Sequence, residues 1–218
     1  QPGEIPRHES FYYLEMLRRA GLIAELPETP DCSLQSAAYL RRAGAERFEQ
    51  LGFEEAPIGV SPGAAYGGAK RWPVERFAQA AAILAHTLAR PVVVFGSSAE
   101  KTVTARLVEL LEAQDVDAYD FAGRTDLAEF TELAAACRIF LTNDSGAMHV
   151  AAALGVPTVA VFGSTDPEAT GPLGPAVRVV REPVECAPCL LRECPIDHRC
   201  MLSVEPERVA AEALDLLK

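Results

Sequence analysis

The chain of 218 residues reads as an α/β domain, a doubly wound parallel sheet with helices on both faces. Three features carry that reading. From Ile58 onward, short apolar runs alternate with helical stretches of roughly 10–15 residues, which is the pattern of parallel βαβ units. The runs are continuously apolar rather than alternating, as strands are when both faces of a sheet are covered. Hydrophobic residues make up 49% of the chain and charged residues 23%, enough apolar material for a core at this length.

The elements follow in order. Phe11–Ala20 (FYYLEMLRRA) predicts a short amphipathic helix that stops at Gly21. Pro27 and Pro30 mark a loop, and Ser33–Gln50, rich in Ala, Leu, Arg and Glu, predicts a second helix. Residues 1–57 thus read as a mainly helical linker or remnant of a preceding domain, and residues 58–218 as the domain proper. Ile58–Ser61 is the first strand. Val74, Phe77, Ala81, Leu84 and Leu88 then recur at helical spacing. Strands are expected at Val92–Phe95, Ala118–Phe121, Ile139–Thr142 and Thr158–Phe162, with a further one at Val177–Arg181. Helices are expected at Ala99–Ala113, Leu127–Ala136, Ser145–Leu154 and Pro206–Leu217.

Charge narrows the partners. A formal net charge of −11 repels nucleic-acid phosphates and anionic head groups, so nucleic acid is excluded as a partner. No apolar run approaches the ~18 residues of a membrane-spanning helix. The polar start, Gln1 to Ser10 with two prolines, does not read as a signal peptide, and the first residue is not Met.

In a doubly wound sheet, ligands bind at the carboxyl ends of the strands. Three strand-end loops there hold candidate chemistry. The first is SPGAAYGGAKRWP, residues 61–73. Its glycines allow backbone N–H groups to approach an anion, and Lys70 and Arg71 add positive charge. It is not a Walker A loop, because Gly-Lys-[Ser/Thr] is missing. A surface loop with a solvated Lys-Arg pair is the competing reading. The second is Phe95-Gly96-Ser97-Ser98-Ala99-Glu100, where Glu100 suits ribose hydroxyls. A plain helix start with Ser98 as N-cap is its alternative.

The third loop is TNDSGAMH, residues 142–149. It joins an apolar strand to a helix whose free N–H groups and partial positive charge favour a diphosphate. Ser145 can donate a hydroxyl hydrogen bond, and Gly146 allows close approach. His149 lies four residues on, on the same helix face as Ser145. Asp144 repels a phosphate unless it binds a hydroxyl or an amine. The alternative makes Asn143 or Asp144 a plain N-cap and His149 a packed core residue.

These blocks together resemble one family. Ile58-Gly-Val-Ser-Pro-Gly-Ala64 with Ala69-Lys70-Arg71-Trp72-Pro73, Phe95-Gly-Ser97, Thr142 to His149 followed by Val150 to Leu154, and Val161 to Ser164 with Asp166-Pro167 resemble the C-terminal domain of family 9 glycosyltransferases, the ADP-heptose:lipopolysaccharide heptosyltransferases. The Ala69–Pro73 stretch is more similar to heptosyltransferase II than to I. The resemblance spans roughly residues 58–218. It implies the donor half of a GT-B fold, Rossmann-like, with an inverting transfer of heptose from ADP-heptose to the lipid A-core acceptor.

The resemblance also implies roles. Donor contacts fall to Ser61, Gly63, Ala64, Lys70, Gly96, Ser97, Glu100, Asp144, Ser145, Gly146 and His149. Lys70 neutralises phosphate, and the backbone of residues 144–146 holds the diphosphate. The general base belongs to an N-terminal acceptor domain that 218 residues do not accommodate, since one such domain takes ~150 residues. The chain alone is therefore expected to bind donor weakly and not to transfer sugar. A cytoplasmic location, peripheral to the inner membrane, follows from the same likeness. Two other readings stand beside it: a family 9 enzyme using another nucleotide-sugar, and a non-catalytic nucleotide-binding module.

Cys186, Cys189, Cys194 and Cys200, with His198 nearby, put four thiols into fifteen residues. A structural zinc, disulfides and free thiols are all open on spacing alone. Catalysis itself calls for no cofactor.

Overall fold

A computed structural model describes residues 5–218, so part of the polar start, Gln1–Glu4, lies outside the described residues. Helices α1 (Glu9–Arg19) and α2 (Ala37–Gln50) precede β1 (Ile58–Ser61). There follow α3 (Val74–Leu88), β2 (Val92–Val94), α4 (Lys101–Glu112), β3 (Ala118–Asp120), α5 (Leu127–Ala136), β4 (Ile139–Asn143) and α6 (Gly146–Ala153). The chain ends through β5 (Thr158–Val161), α7 (Pro167–Thr170), β6 (Val177–Val180), α8 (Arg199–Leu202) and α9 (Pro206–Asp215). Two turns of 3₁₀ helix, Gly68–Lys70 and Ser98–Glu100, lie in the strand-end loops. Among the described residues, no helix is long and apolar enough to cross a membrane.

All six strands are parallel, in the order β3-β2-β1-β4-β5-β6. The strand order reverses between β1 and β4, where Ser61 pairs with Thr142. A crevice at the carboxyl ends of those two strands follows from that reversal, because their crossovers leave on opposite sides. The sequence expectation of a doubly wound sheet holds, and the strands end within a residue or two of the predicted bounds.

The strand side chains divide between two faces. Val92 and Val94 join a core with Phe77 and Leu84 of α3, Leu107 and Leu111 of α4, and Val209 of α9. Val93, between them, joins Phe140 with Leu133 of α5 and Ala151 of α6. In the four inner strands β1, β2, β4 and β5 every residue is buried, which is why those strands are nearly continuous apolar runs, whereas the edge strands β3 and β6 are partly exposed. Helix α2 forms a third layer on α5. Gly44 makes this approach possible, since a Cβ there would lie 1.9 Å from the Glu132 carbonyl oxygen. Arg47 of α2 pairs with Glu132 and, at 3.5 Å, with Glu129.

One buried amide organises the crevice. Asn143, with no exposed surface, accepts from the Trp72 N–H at 2.9 Å and donates to the Pro62 carbonyl at 2.7 Å. Both ends of the long loop after β1 are thereby tied to the end of β4. Trp72 is itself enclosed, and its indole N–H donates to the Val204 carbonyl at 3.2 Å. Asn143 is no helix cap; Ser145 occupies that position, so that alternative is corrected.

Two substitutions test this packing. Asn143→Ala leaves a buried N–H and a buried carbonyl without partners and should cost roughly 2–4 kcal/mol of stability in urea unfolding. Asn143→Asp should not rescue, since a carboxylate has no proton to give Pro62. Gly44→Ala would raise helix propensity by up to about 1 kcal/mol in an open helix. Against Glu132 it should instead destabilise by about 1–3 kcal/mol; a higher melting temperature would show that α2 does not sit this close.

Candidate functional site

A cleft of about 360 Å³ opens at the carboxyl ends of β1, β2 and β4. Ser61, Gly63, Ala64, Gly96, Ser97, Glu100, Ser145 and Gly146 all line it, bringing most of the predicted residues together. Phe95 and Phe130 form part of its wall, held edge to face with ring centroids 5.3 Å apart. Thr125, Asp126 and Leu127, from the loop after β3 and the start of α5, complete it. Sequence reading missed these three. The rule that chemistry sits after strand ends points to them equally, but their loop holds a single glycine, Gly123, and one charge of each sign, Arg124 and Asp126, which sets it apart from no ordinary turn. A larger hollow of about 570 Å³, between α2, β3 and α5, contains none of the predicted residues.

Local geometry explains several small residues. Glu100 folds back so that Oε2 accepts from the Ser97 N–H at 2.7 Å and the Ser97 hydroxyl at 2.8 Å. This caps the helix start through Ser97, not Ser98 as the alternative reading had it. The other oxygen, Oε1, lies over Gly63, where a Cβ would sit 1.6 Å away. Only glycine leaves room for this carboxylate at the cleft. Among the described residues Oε1 has no hydrogen-bond partner, so it remains an acceptor for a hydroxyl. Arg71 is bound inward, with Nε and Nη2 donating to the Ala64 carbonyl at 3.3 and 3.2 Å.

Helix α6 starts at Gly146 with extended Ser145 as its cap residue, and no side chain caps its amides. The Ser145 hydroxyl is instead shared with Thr142 Oγ1 at 3.1 Å. A Cβ at Gly146 would meet nothing within 4 Å, so the first turn is open to an approaching group. First-turn amides and the helix dipole make such a terminus receptive to an anion.

Beside this turn lies the charged part of the site. Lys70 Nζ is 2.5 Å from Asp144 Oδ2, with the side chains only 13% and 5% exposed. Asp144 Oδ2 also accepts from Thr165 Oγ1 at 2.6 Å. Asp144 thus has the amine and hydroxyl partners that a carboxylate near phosphate needs, and Lys70 is no solvated surface residue. Lys70 also lies 4.8 Å from the centroid of the Tyr66 ring. Thr165 had no sequence signal; it lies 21 residues beyond Asp144 and is brought in by the loop after β5.

His149 stands in solvent reach on the same helix. Desolvation by its surroundings lowers its pKa below the ordinary histidine value. Asp144 opposes this, while the charges of His8 and Lys70 add to it. It is not the packed core residue of the alternative reading.

The cysteines stand apart from the cleft. All six are free thiols, and among the described residues no three His, Cys, Asp or Glu side chains are placed to hold a metal ion. Of the three readings for Cys186, Cys189, Cys194 and Cys200, this arrangement is that of free thiols. Two of the candidate groups have other partners. Cys194 Sγ accepts from the His198 N–H at 3.3 Å, and His198 Nε2 bonds the Ala69 carbonyl at 3.1 Å. Cys200 is buried, which pushes its thiol pKa up, and the other three thiols push it in the same direction.

Comparison with known proteins gives the family. The family model described as glycosyltransferase family 9 (heptosyltransferase) matches residues 7–199. Lipooligosaccharide heptosyltransferase 2 of Campylobacter jejuni is 34% identical over 164 residues, covering 74% of this chain and 51% of that protein. The structure of E. coli ADP-heptose lipopolysaccharide heptosyltransferase II superposes with a TM-score of 0.68 at 35% identity, over 81% of this chain and 51% of that one. The family 9 glycosyltransferase of Veillonella parvula superposes over the whole chain and 62% of its own, with a TM-score of 0.77 at 25% identity. The chain spans about half the length of the curated relatives it matches. With that match over most of its residues, the chain belongs to glycosyltransferase family 9, the heptosyltransferase family.

Proposed function

We propose that this chain is the donor-binding part of an inverting glycosyltransferase, taking ADP-heptose and serving heptose transfer to the lipopolysaccharide inner core. The observation that carries the proposal is the uncapped first turn of α6 at the sheet's reversal point, beside the buried Lys70–Asp144 pair. In this reading the donor diphosphate rests on the amides of Ser145 and Gly146. The nucleoside occupies the adjoining cleft, with Glu100 Oε1 accepting from a ribose hydroxyl and Leu127 and Phe130 offering apolar surface to the base.

The chemistry then follows. An acceptor hydroxyl attacks the anomeric carbon, and the nucleoside diphosphate leaves with growing negative charge. Amide dipoles and a nearby ammonium, already fixed in a partly buried site, stabilise that charge without reorganising. Lys70 meets the requirement by sharing its ammonium between Asp144 and phosphate. The carboxylate that deprotonates the acceptor lies in the half of the relatives that this chain does not span. A lipid-linked acceptor would place the reaction at the cytoplasmic face of the inner membrane. The catalytic function asks for no metal, since the cationic work falls to Lys70 and the helix start.

Calorimetric titration with ADP, UDP and GDP tests the donor assignment, with ADP expected to bind tightest. Lys70→Ala should weaken ADP by about 1.5–3 kcal/mol, the worth of a charged hydrogen bond, while adenosine binding stays unchanged. Equal ADP affinity in the variant would remove Lys70 from the site.

His149 gives a second test with a definite sign. Its pKa is depressed in the free protein, so it is neutral at slightly alkaline pH. A neighbouring diphosphate favours the charged imidazolium and raises that pKa on binding. Binding then takes up a proton, and affinity rises as pH falls through the bound-state pKa. The ratio of wild-type to His149→Gln affinity for ADP should grow between about pH 8 and about pH 6. A constant ratio would place His149 away from the phosphates.

A further inference from the structure

The cysteine-rich segment has no part in the chemistry described so far, yet it is built onto the phosphate loop. Tyr66 Oη donates to the Leu190 carbonyl at 3.1 Å, and the Ala69 N–H donates to the Arg192 carbonyl at 2.9 Å. Gly68 N–H donates to Glu193 Oε1 at 2.9 Å, and His198 holds the Ala69 carbonyl. Gly67 is required by the same approach, since a Cβ there would lie 2.2 Å from the Arg192 carbonyl oxygen. These contacts fix residues 190–193 against the 3₁₀ turn that ends in Lys70.

The consequence is a second cation on the same aromatic ring. The Arg192 guanidinium lies 5.0 Å from the centroid of the Tyr66 ring that also carries Lys70 at 4.8 Å. Lys70 is already balanced by Asp144. Arg192, exposed to solvent, has no carboxylate partner among the described residues, because Arg199 takes Asp197 and Glu185, and Glu193 turns to Gly68. A diphosphate brings about two negative charges to a site whose lysine is already paired, and the α6 N-terminus supplies only about half a positive charge, so the site is short of cationic charge. Cation–π contact with Tyr66 holds Arg192 at that place without cancelling its charge. A guanidinium is also suited to grip phosphate oxygens in pairs.

We propose that Arg192 is a donor-binding residue: the cysteine-rich segment delivers it beside Lys70 to bind the diphosphate of the nucleotide-sugar. The proposal rests on the donor-site reading above. It gives the segment a role that needs neither metal nor disulfide, namely to position a cation across the phosphate loop.

Calorimetry on the 218-residue chain tests it with ADP and adenosine as probes. Arg192→Gln should weaken ADP roughly 10-fold, in line with one lost charged hydrogen bond, and leave adenosine affinity unchanged. Arg192→Lys should restore only part of the ADP affinity, since it keeps the charge but not the paired guanidinium contacts, and the wild-type advantage should shrink with added salt. Unchanged ADP affinity in Arg192→Gln, with wild type binding ADP normally, overturns this inference alone. An equal loss for ADP and adenosine also overturns it, since that marks a merely structural arginine. If the wild-type chain binds no ADP, the donor-site reading falls first and Arg192 with it.

Discussion

A single buried amide, Asn143, is the constraint on which the site depends. It closes the end of β4 against both ends of the loop after β1 through Trp72 and Pro62. That loop is long and glycine-rich, and without a fixed anchor its conformational entropy would leave Lys70 free to wander. With the anchor, Lys70 is brought over the start of α6, and Gly63 is brought under Glu100. An asparagine suits the position because it offers an acceptor and a donor together. In a water-free environment both must be satisfied, so the geometry tolerates little drift.

The second organising feature is a local reversal of charge. The protein is acidic overall, at −11, yet Lys70 lies next to the positive end of α6, and Arg71 is tied to the Ala64 carbonyl at the crevice wall. Asp144 tempers this by holding Lys70 in place, and Thr165 donates to the same Asp144 oxygen, Oδ2. The pair is buried, so its partners feel it through a medium of low polarity rather than through water. Long-range repulsion of polyanions and short-range capture of a small anion can therefore coexist in one molecule.

The N-terminal segment bears on the same site. Arg7 pairs with Asp166 at 2.5 Å and Glu168 at 2.9 Å, and His8 Nε2 bonds the Gly171 carbonyl at 2.9 Å. These contacts brace the loop that carries Thr165. Helix α1 itself presents Tyr12, Tyr13 and Met16 to solvent, each about half exposed or more. The segments before β1 are thus attached to a loop beside the candidate site, through Arg7 and His8, as well as to α5, through α2.

Local pattern determined much of this protein. The 3.6-residue recurrence of Val74, Phe77, Ala81, Leu84 and Leu88, and continuous runs such as Ile58–Ser61, depend on neighbours in sequence and so were legible without coordinates. The same holds for the strand-end loops, because a parallel sheet puts ligands there whatever its details. Pairings across long sequence distance were not legible. Thr165 on Asp144, Arg192 on the ring of Tyr66, and Asn143 as a clamp rather than a cap depend on which loops the sheet order brings together. The state of the cysteines was equally a tertiary matter, since spacing says which thiols are close in sequence but not where each sulfur points. Composition and periodicity act through the nearest turns of chain, whereas these contacts form only after the strand order has closed the crevice.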